Sequence, residues 1–251
     1  MKDFVHLHLH SEFSLLDGAV PLDRLFEECE RQGMPAVAIT DHGNMFGAVA
    51  FYEKAVAFTD KEADPAKFSK NGEKFKIKPI FGCEFYVDAD LHKKVSEGGR
   101  IPKFHHLVLL AKDYEGYENL VKLNSIAYTD GFFYKPRIDY KTLLAHTKGL
   151  VCLSACLAGG IPQALLRGDA VGAKELAVSL RDAFAPGDFY IEIQDHNIAE
   201  QKQINPQLIR LAREIGVKPV ATNDVHYLRR PMPKCRRCCN VYPSGGRLLI
   251  T

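Results

Sequence analysis

Apolar and polar positions alternate with period two in "FVHLHLH" (residues 4–10), which predicts a first strand. In "PLDRLFEECERQG", Leu22, Leu25, Phe26 and Cys29 recur at helical spacing, with Gly33 as the stop signal. The short apolar run "PAVAIT" predicts a second strand. A helix follows over 46–58, then a polar, lysine-rich loop from about 60 to 77. "KPIFGCEFYV" and "HHLVLLA" read as the third and fourth strands, and "YEGYENLVKLNSIAY" as a helix. "GLVCLS", "DFYIEI" and "KPVATN" supply the fifth, sixth and seventh strands, with helical segments between them. Strands joined by helical crossovers imply parallel pairing and an α/β class; seven units suggest a (βα) barrel short of the usual eight. One domain is expected, with no internal linker.

Composition narrows this little. The apolar share of 46% is enough for a sizeable core, and 33 basic against 31 acidic residues give a net charge of +2, which neither demands nor excludes a nucleic-acid partner. No run approaches a membrane span and the N-terminus lacks a secretory apolar stretch, so a cytoplasmic location is expected, with cysteines reduced. Of the seven cysteines, Cys29, Cys83, Cys152 and Cys156 are dispersed, while Cys235, Cys238 and Cys239 crowd the end.

The chemistry collects at predicted strand ends. His8 and His10 finish the first strand, Asp41 and His42 follow the second, and Glu84 lies late in the third. Cys156 comes just after the fifth, and Asp224 and His226 just after the seventh. Such ends converge on one mouth of a barrel. Period two puts His6, His8 and His10 on one face and Leu7 and Leu9 on the other, toward the helices. Imidazole and carboxylate suit zinc, manganese or iron, and a thiolate leans toward zinc. A lone His-x-His is a weak signal; joined by "TDHG", "GCEF" and "NDVH" it is much stronger.

These residues carry a resemblance. "FVHLHLHSEFSLLDGA", "AITDHGNMFGAVAFY", "PIFGCEFYV", "HHLVLLAKDYEGYENLVKLNSIAYTDGFFYKPRID", "LSACLAGGIP" and "ATNDVHYL" cover nearly all of residues 3–228. In that order they resemble the polymerase-and-histidinol-phosphatase (PHP) domains, in the branch that opens bacterial DNA polymerase III alpha subunits. The resemblance implies a distorted seven-stranded (βα) barrel, TIM-like, holding three divalent metal ions (zinc, manganese or iron). Carried over, His8, His10 and Asp224 hold the first ion and Glu84 bridges it to the second. His106 and Cys156 complete the second site, and Asp17, His42 and His226 hold the third. Glu84, Asp224 and His226 are the residues expected to act in catalysis. The implied activity is 3′–5′ proofreading hydrolysis at a DNA 3′ end, single-stranded or mismatched, in DNA replication. The implied partners are the rest of the alpha subunit, a nucleotidyltransferase, and the replicase holoenzyme. The polymerase active site is not expected in these residues. The alternatives are a non-catalytic scaffold of the polymerase, a small-molecule phosphatase of the same family, and an amidohydrolase; the last expects a bridging modified lysine where this chain offers Glu84 and Cys156.

Plainer readings stand beside these. His6 fills the interior. Asp41 orients a ligand histidine or caps the next helix. His105 and His106 face opposite ways on a strand, and the motif selects His106. Cys156 is a ligand or an inert core thiol. Asp195 and His196 belong to a solvated loop or touch substrate. Arg137 in "YKPR" contacts a substrate phosphate or closes a turn. The lysines of "KFSKNGEKFKIK" form a solvated loop or a salt-sensitive contact to DNA.

The expected domain spans 1–230, and residues 231–251 form an aberrant tail. "PMPKCRRCCNVYPSGGRLLIT" brings prolines, basic residues and a Cys-x-x-C with no second half. One reverse translation of "PMPKCRRCCN", read two bases later, encodes an acidic helix start, so a shifted reading frame or truncated start of the following polymerase region is expected. Sequencing the locus tests this; an uninterrupted frame to Thr251 refutes it.

Overall fold

The structure, a computed structural model, describes residues 4–15, 17–59, 75–92, 94 and 104–229. Most of the lysine-rich stretch and the whole tail at 231–251 lie outside the described residues.

The described elements are α1 (Leu22–Arg31), β1 (Ala36–Ile39), α2 (Ala48–Ala57), β2 (Lys78–Asp88), β3 (His105–Ala111), α3 (Tyr114–Thr129) and β4 (Arg137–Asp139). They continue with α4 (Tyr140–Leu144), β5 (Leu150–Leu153), α5 (Gly160–Leu166), α6 (Ala170–Ala183), β6 (Phe189–Ile193), α7 (Ala199–Glu214) and β7 (Lys218–Ala221). Asp113, Asp139 and Asp169 cap α3, α4 and α6 by accepting from backbone N–H groups of their first turns. No described helix is long and apolar enough to cross a membrane.

The strands form one curled sheet in the order β1-β2-β3-β5-β6-β7, with β4 paired to β2. The long β2 pairs with β1 through its first half and with β3 through its second. Pairing is mixed: β2–β3 and β3–β5 are antiparallel, the other pairs parallel. This corrects the all-parallel expectation. Residues 89–104, with Gly98, Gly99 and Pro102, carry no helical apolar period to cross over with.

The second to seventh expected strands are present as β1, β2, β3, β5, β6 and β7, and the first is not. Residues 4–10 form no ladder. They span the two sheet edges through single bridges, His6 to Val37 and Leu9 to Val225. The remaining strand of the sheet is the three-residue β4, too short to show a period.

Among the described residues, three apolar clusters fill the layers. The largest packs Leu109 and Cys152 of the sheet against Leu120 and Leu123 of α3 and Leu208 of α7. A second packs Leu9, Val37 and Phe51 with α1. The third draws mainly on strand residues, among them Ala38, Val108, Leu110 and Leu153, and lies inside the curl. Each fully buried leucine contributes about 1.5–3 kcal/mol of transfer free energy. Gly82 is required where the curl tightens: a Cβ there would lie 2.6 Å from the Leu109 carbonyl oxygen.

Candidate metal centre

Alternation along the strands aims Glu84 of β2, His106 of β3 and Glu192 of β6 to the inside, while Cys83, Leu107 and Ile191 face the helices. The N-terminal segment behaves differently. It bends at Leu7 and His8, so Leu7 packs with the inner cluster and Leu9 with the outer one. The expected shared face for Leu7 and Leu9 is therefore wrong: the bend breaks the period. His6, buried and edge-on to Phe4 at 5.1 Å, stays outside the polar cluster.

The structure brings all nine predicted residues together. Around Glu84, Oε1 lies 3.2 Å from His8 Nε2, 2.8 Å from His106 Nδ1 and 3.9 Å from Cys156 Sγ. Its Oε2 meets His42 Nδ1 and stands 3.9 Å from His10 Nε2. Asp224 Oδ1 lies 3.3 Å from His8 Nε2 and 3.1 Å from His10 Nε2. Asp17 Oδ2 is 3.2 Å from His42 Nε2. The His10 ring stacks on His42 at 3.8 Å and lies 4.4 Å from His226. Cys156 Sγ is 3.8 Å from His106 Nδ1. Among the described residues, three sets have ligand atoms mutually within 4.8 Å: His8, His10 and Glu84; His42, Glu84 and His106; His10, His42 and His226.

His42 and His106 hydrogen-bond Glu84, but several of the crowded atoms are left over. The Nε2 atoms of His8, His10 and His42 and the Oδ1 atoms of Asp17 and Asp224 are buried without a hydrogen-bond partner. Orphaned buried polar atoms are costly, so such a crowd needs a common partner. Ligands about 2.0–2.1 Å from a tetrahedral ion sit about 3.4 Å from one another. The separations of 3.1 and 3.3 Å about Asp224 match that edge length, and the donor set fits divalent ions.

Charge in the ion-free cluster is balanced by protons. Burial opposes charge on His42, but Glu84 and Asp17 override it and push the pKa up to about 10. Burial and then the neighbouring His42 charge push His10 down to about 3. Burial works against ionised Glu84 too, yet His106 and His42 hold it well below the usual carboxylate range. Burial, then the Glu84 carboxylate, push the Cys156 thiol up; a bound cation would reverse this.

An outer layer holds these groups, and sequence reasoning missed its main member. Glu192 Oε1 accepts from His8 Nδ1 at 2.7 Å and from Gln194 Nε2 at 2.8 Å, and also bonds Thr222. A carboxylate on Nδ1 fixes the tautomer and leaves Nε2 for a metal. Asp41 accepts from Ser11 N at 2.7 Å and Ser14 Oγ at 2.7 Å, and Ser14 Oγ meets His10 Nδ1 at 3.1 Å. That chain gives Asp41 the orienting role. His196 Nε2 bonds the Asn223 carbonyl at 2.9 Å, bracing the turn before Asp224. Asp224 (φ 46°) and Ala155 (φ 65°), next to Cys156, both hold left-handed backbone, strain that gathers at functional sites.

Of the two readings of Arg137, the structure fits the closing of a turn and not the phosphate contact. The side chain is fully buried; Nε donates to the Gly131 carbonyl at 2.8 Å, Nη2 to the Leu91 carbonyl at 2.8 Å, and Nη1 pairs with Asp88. A guanidinium sealed this way cannot reach a substrate phosphate. A cavity of about 500 Å³ lies by Phe184, Tyr190 and Lys218 at the opposite strand ends and contains none of the nine residues.

A curled α/β sheet whose inner mouth gathers histidines, carboxylates and a thiol defines the class of fold and site. The chain belongs to the PHP domain family, whose family description matches residues 6–196. Asp224 and His226 lie beyond that match and join the cluster through the fold. Among relatives named DNA polymerase III subunit alpha, the chain is 45% identical over 224 residues to that of Treponema pallidum, covering 89% of this chain and 18% of the relative. It is 45% identical over 231 residues to that of Thermus aquaticus, covering 90% and 17%. The chain thus spans under a fifth of the length of these curated relatives. The fold is shared with a Bifidobacterium adolescentis structure assigned to the metal-dependent phosphoesterases (TM-score 0.51, 14% identity, covering 91% of this chain and 89% of that one). It is also shared with a Chromobacterium violaceum amidohydrolase structure (TM-score 0.52, 12% identity, covering 90% and 88%).

Proposed function

We propose that this domain hydrolyses phosphodiester bonds at a DNA 3′ end, as the proofreading part of a replicative polymerase alpha subunit. The rest of that subunit is its partner. The observation that supports this most is the crowd of buried, unpartnered ligand atoms around Glu84 and Asp224. His8, His10 and Asp224 would hold one ion, Glu84 would link it to a second held by His106 and Cys156, and Asp17, His42 and His226 would hold a third. Divalent ions supply Lewis-acid polarisation of the phosphoryl oxygens and an acidified water.

The chain's own groups set the direction of approach. The side chains of His8, His10 and Glu84 are at most 1% exposed and form the floor. Asp17, His42, His106, Asp224 and His226 are partly open and form the mouth. The anionic ligands Asp17, Glu84, Asp224 and a Cys156 thiolate offset most, not all, of the charge on three dications. The site therefore stays attractive to a phosphodiester. Asp224, at the open side, is placed to exchange a proton with the attacking water, and His226, its Nδ1 bonded to the Asp224 carbonyl at 2.8 Å, would hold its ion beside it.

The test is cleavage of a mismatched primer with manganese or zinc, with and without Glu84→Ala, alongside metal analysis of the purified protein. Loss of cleavage and of metal in the variant is expected. Unchanged activity refutes the site as drawn. Turnover of a phosphomonoester alone replaces this reading with the small-molecule phosphatase, and a metal-free, inactive wild type replaces it with the scaffold.

A further inference from the structure

The loop "GFFYKPR" (131–137) has its arginine consumed internally, yet presents Phe132, Tyr134 and Lys135 outward. Phe132 is 50% and Tyr134 51% exposed, and Tyr134 holds a left-handed backbone (φ 61°), a strained choice for a bulky aromatic. Phe132 is one end of a row: its ring lies 6.2 Å from Tyr128, which lies 5.8 Å from Phe46, itself 57% exposed. The planes turn by 34° and 48° along the row.

This row is tied to the cluster. Gly43 follows His42 with φ 59°, and a Cβ there would lie 2.8 Å from the Pro136 ring and 3.0 Å from Tyr86. Its bareness lets the loops 42–47 and 131–136 pack as one rim. Asn44 donates to the His42 carbonyl at 3.0 Å and accepts from Phe46 N at 3.0 Å, fixing Phe46 to a cluster residue. Asn124 of α3 donates to the Gly43 carbonyl at 3.0 Å. Lys135, exposed, sets its ammonium 5.1 Å from the Tyr86 ring centre, and that ring lies 5.1 Å from His106 and 6.3 Å from His42.

From this geometry we infer that the rim is a binding track for single-stranded nucleic acid. Phe46, Tyr128 and Phe132 offer ring faces to successive bases, and Lys135 pairs with a backbone phosphate at the cluster mouth. The inference rests on the phosphodiesterase reading and adds how a strand is presented. Ring spacings close to one extended nucleotide, a lysine at the cluster end and aromatic faces suit unpaired bases, because every base has a face to stack. A duplex keeps those faces hidden.

The test uses the full chain in EDTA, so that binding is read without hydrolysis. Fluorescence anisotropy compares a labelled oligothymidylate of about ten nucleotides with an abasic strand and a duplex of equal length. Oligothymidylate is expected to bind tighter than either. Phe46→Ala with Phe132→Ala weakens it about ten-fold or more and leaves the abasic strand unchanged. Lys135→Gln weakens both strands and lowers the salt slope by about one. The substituted side chains are exposed, and circular dichroism checks that the variants fold. Equal binding of thymidylate and abasic strands, or a double variant that binds as wild type, overturns the inference and leaves the row as a surface for another protein. Adding manganese separates the two readings. Ring-dependent binding without cleavage removes the hydrolytic reading alone, and cleavage with no ring dependence removes the track alone.

Discussion

Glu192 offers the sharpest perturbation, because it touches no proposed substrate and only one proposed ligand. Its Oε1 holds His8 Nδ1 at 2.7 Å, in a pocket where the side chains of both are fully buried. Glu192→Gln keeps the volume and one acceptor and removes the charge; Glu192→Ala leaves the His8 N–H without its acceptor and the Gln194 amide with Thr222 alone. A hydrogen bond to a charged group is worth about 1.5–3 kcal/mol, which converts to roughly ten- to hundred-fold in metal affinity. That is also the range for removing an outer partner of a ligand histidine. The expected result is about ten-fold weaker binding for Gln and nearer hundred-fold for Ala. Competition with a metal-sensitive chelating dye reads the affinity. Denaturant melts in chelator read stability separately, so a fold defect is distinguished from a lost ligand orientation. Wild-type affinity in both variants would show that His8 needs no orienting partner, or binds no metal, and the reasoning would fail.

Other perturbations probe different parts of the structure. Loading metal must expel protons, because His42 has a pKa near 10 and the Cys156 thiol is held protonated; calorimetry near neutral pH in buffers of different ionisation enthalpy should show the release, and buffer-independent heats would remove both as ligands. The His42 pKa is raised above its ordinary 6.5, so its contribution to the ion-free domain is full below that value and lost as pH rises through about 10. The melting temperature should fall over that window in chelator. Arg137→Met should destabilise the domain by about 3 kcal/mol, through uncompensated Asp88 and two orphaned carbonyls, and leave KM for DNA unchanged; a rise in KM at full stability would restore the phosphate role. Glu28, held down to about 2 first by Arg31 and then, against burial, by Gln32 and Arg229, has a lowered pKa. Its stabilisation is therefore present above about 4.5 and lost toward pH 2; with both arginines exposed it amounts to about 1 kcal/mol. Urea midpoints of wild type and Glu28→Gln should differ at pH 7 and converge near pH 2.

What was legible in the chain divides along physical lines. "HHLVLLA" falls on β3 residue for residue, because a seven-residue run leaves its period no ambiguity. The three residues of β4 carry no period and were invisible. Types of residue at strand ends were readable locally, and the fold gathers them. Asp17 also arrives through a tight turn, in which a Cβ on Gly18 would lie 2.0 Å from the Ser11 carbonyl oxygen. Glu192 was not readable: a glutamate in "DFYIEI" looks like an outward polar position until the curl shows that Tyr190 and Glu192 face inward. Arg137 failed for the opposite reason. Its residue type suits phosphate, but its fate is set by Asp88, Leu91 and Gly131, which no local pattern connects to it.

The break in alternation at Leu7 and His8 ties these threads together. A regular strand would send consecutive side chains to opposite faces, so an apolar residue could not close the barrel interior directly beside an inward histidine. The bend allows both: Leu7 seals the apolar cluster of Val108 and Leu153, and His8, the next residue, reaches Glu84 and Glu192 on the same side. The segment then ends its pairing early and spans both sheet edges by single bridges instead of a ladder. Local pattern and global fold disagree here because two requirements, a dry interior and a polar mouth, meet within two residues. Such disagreements are expected where function is built.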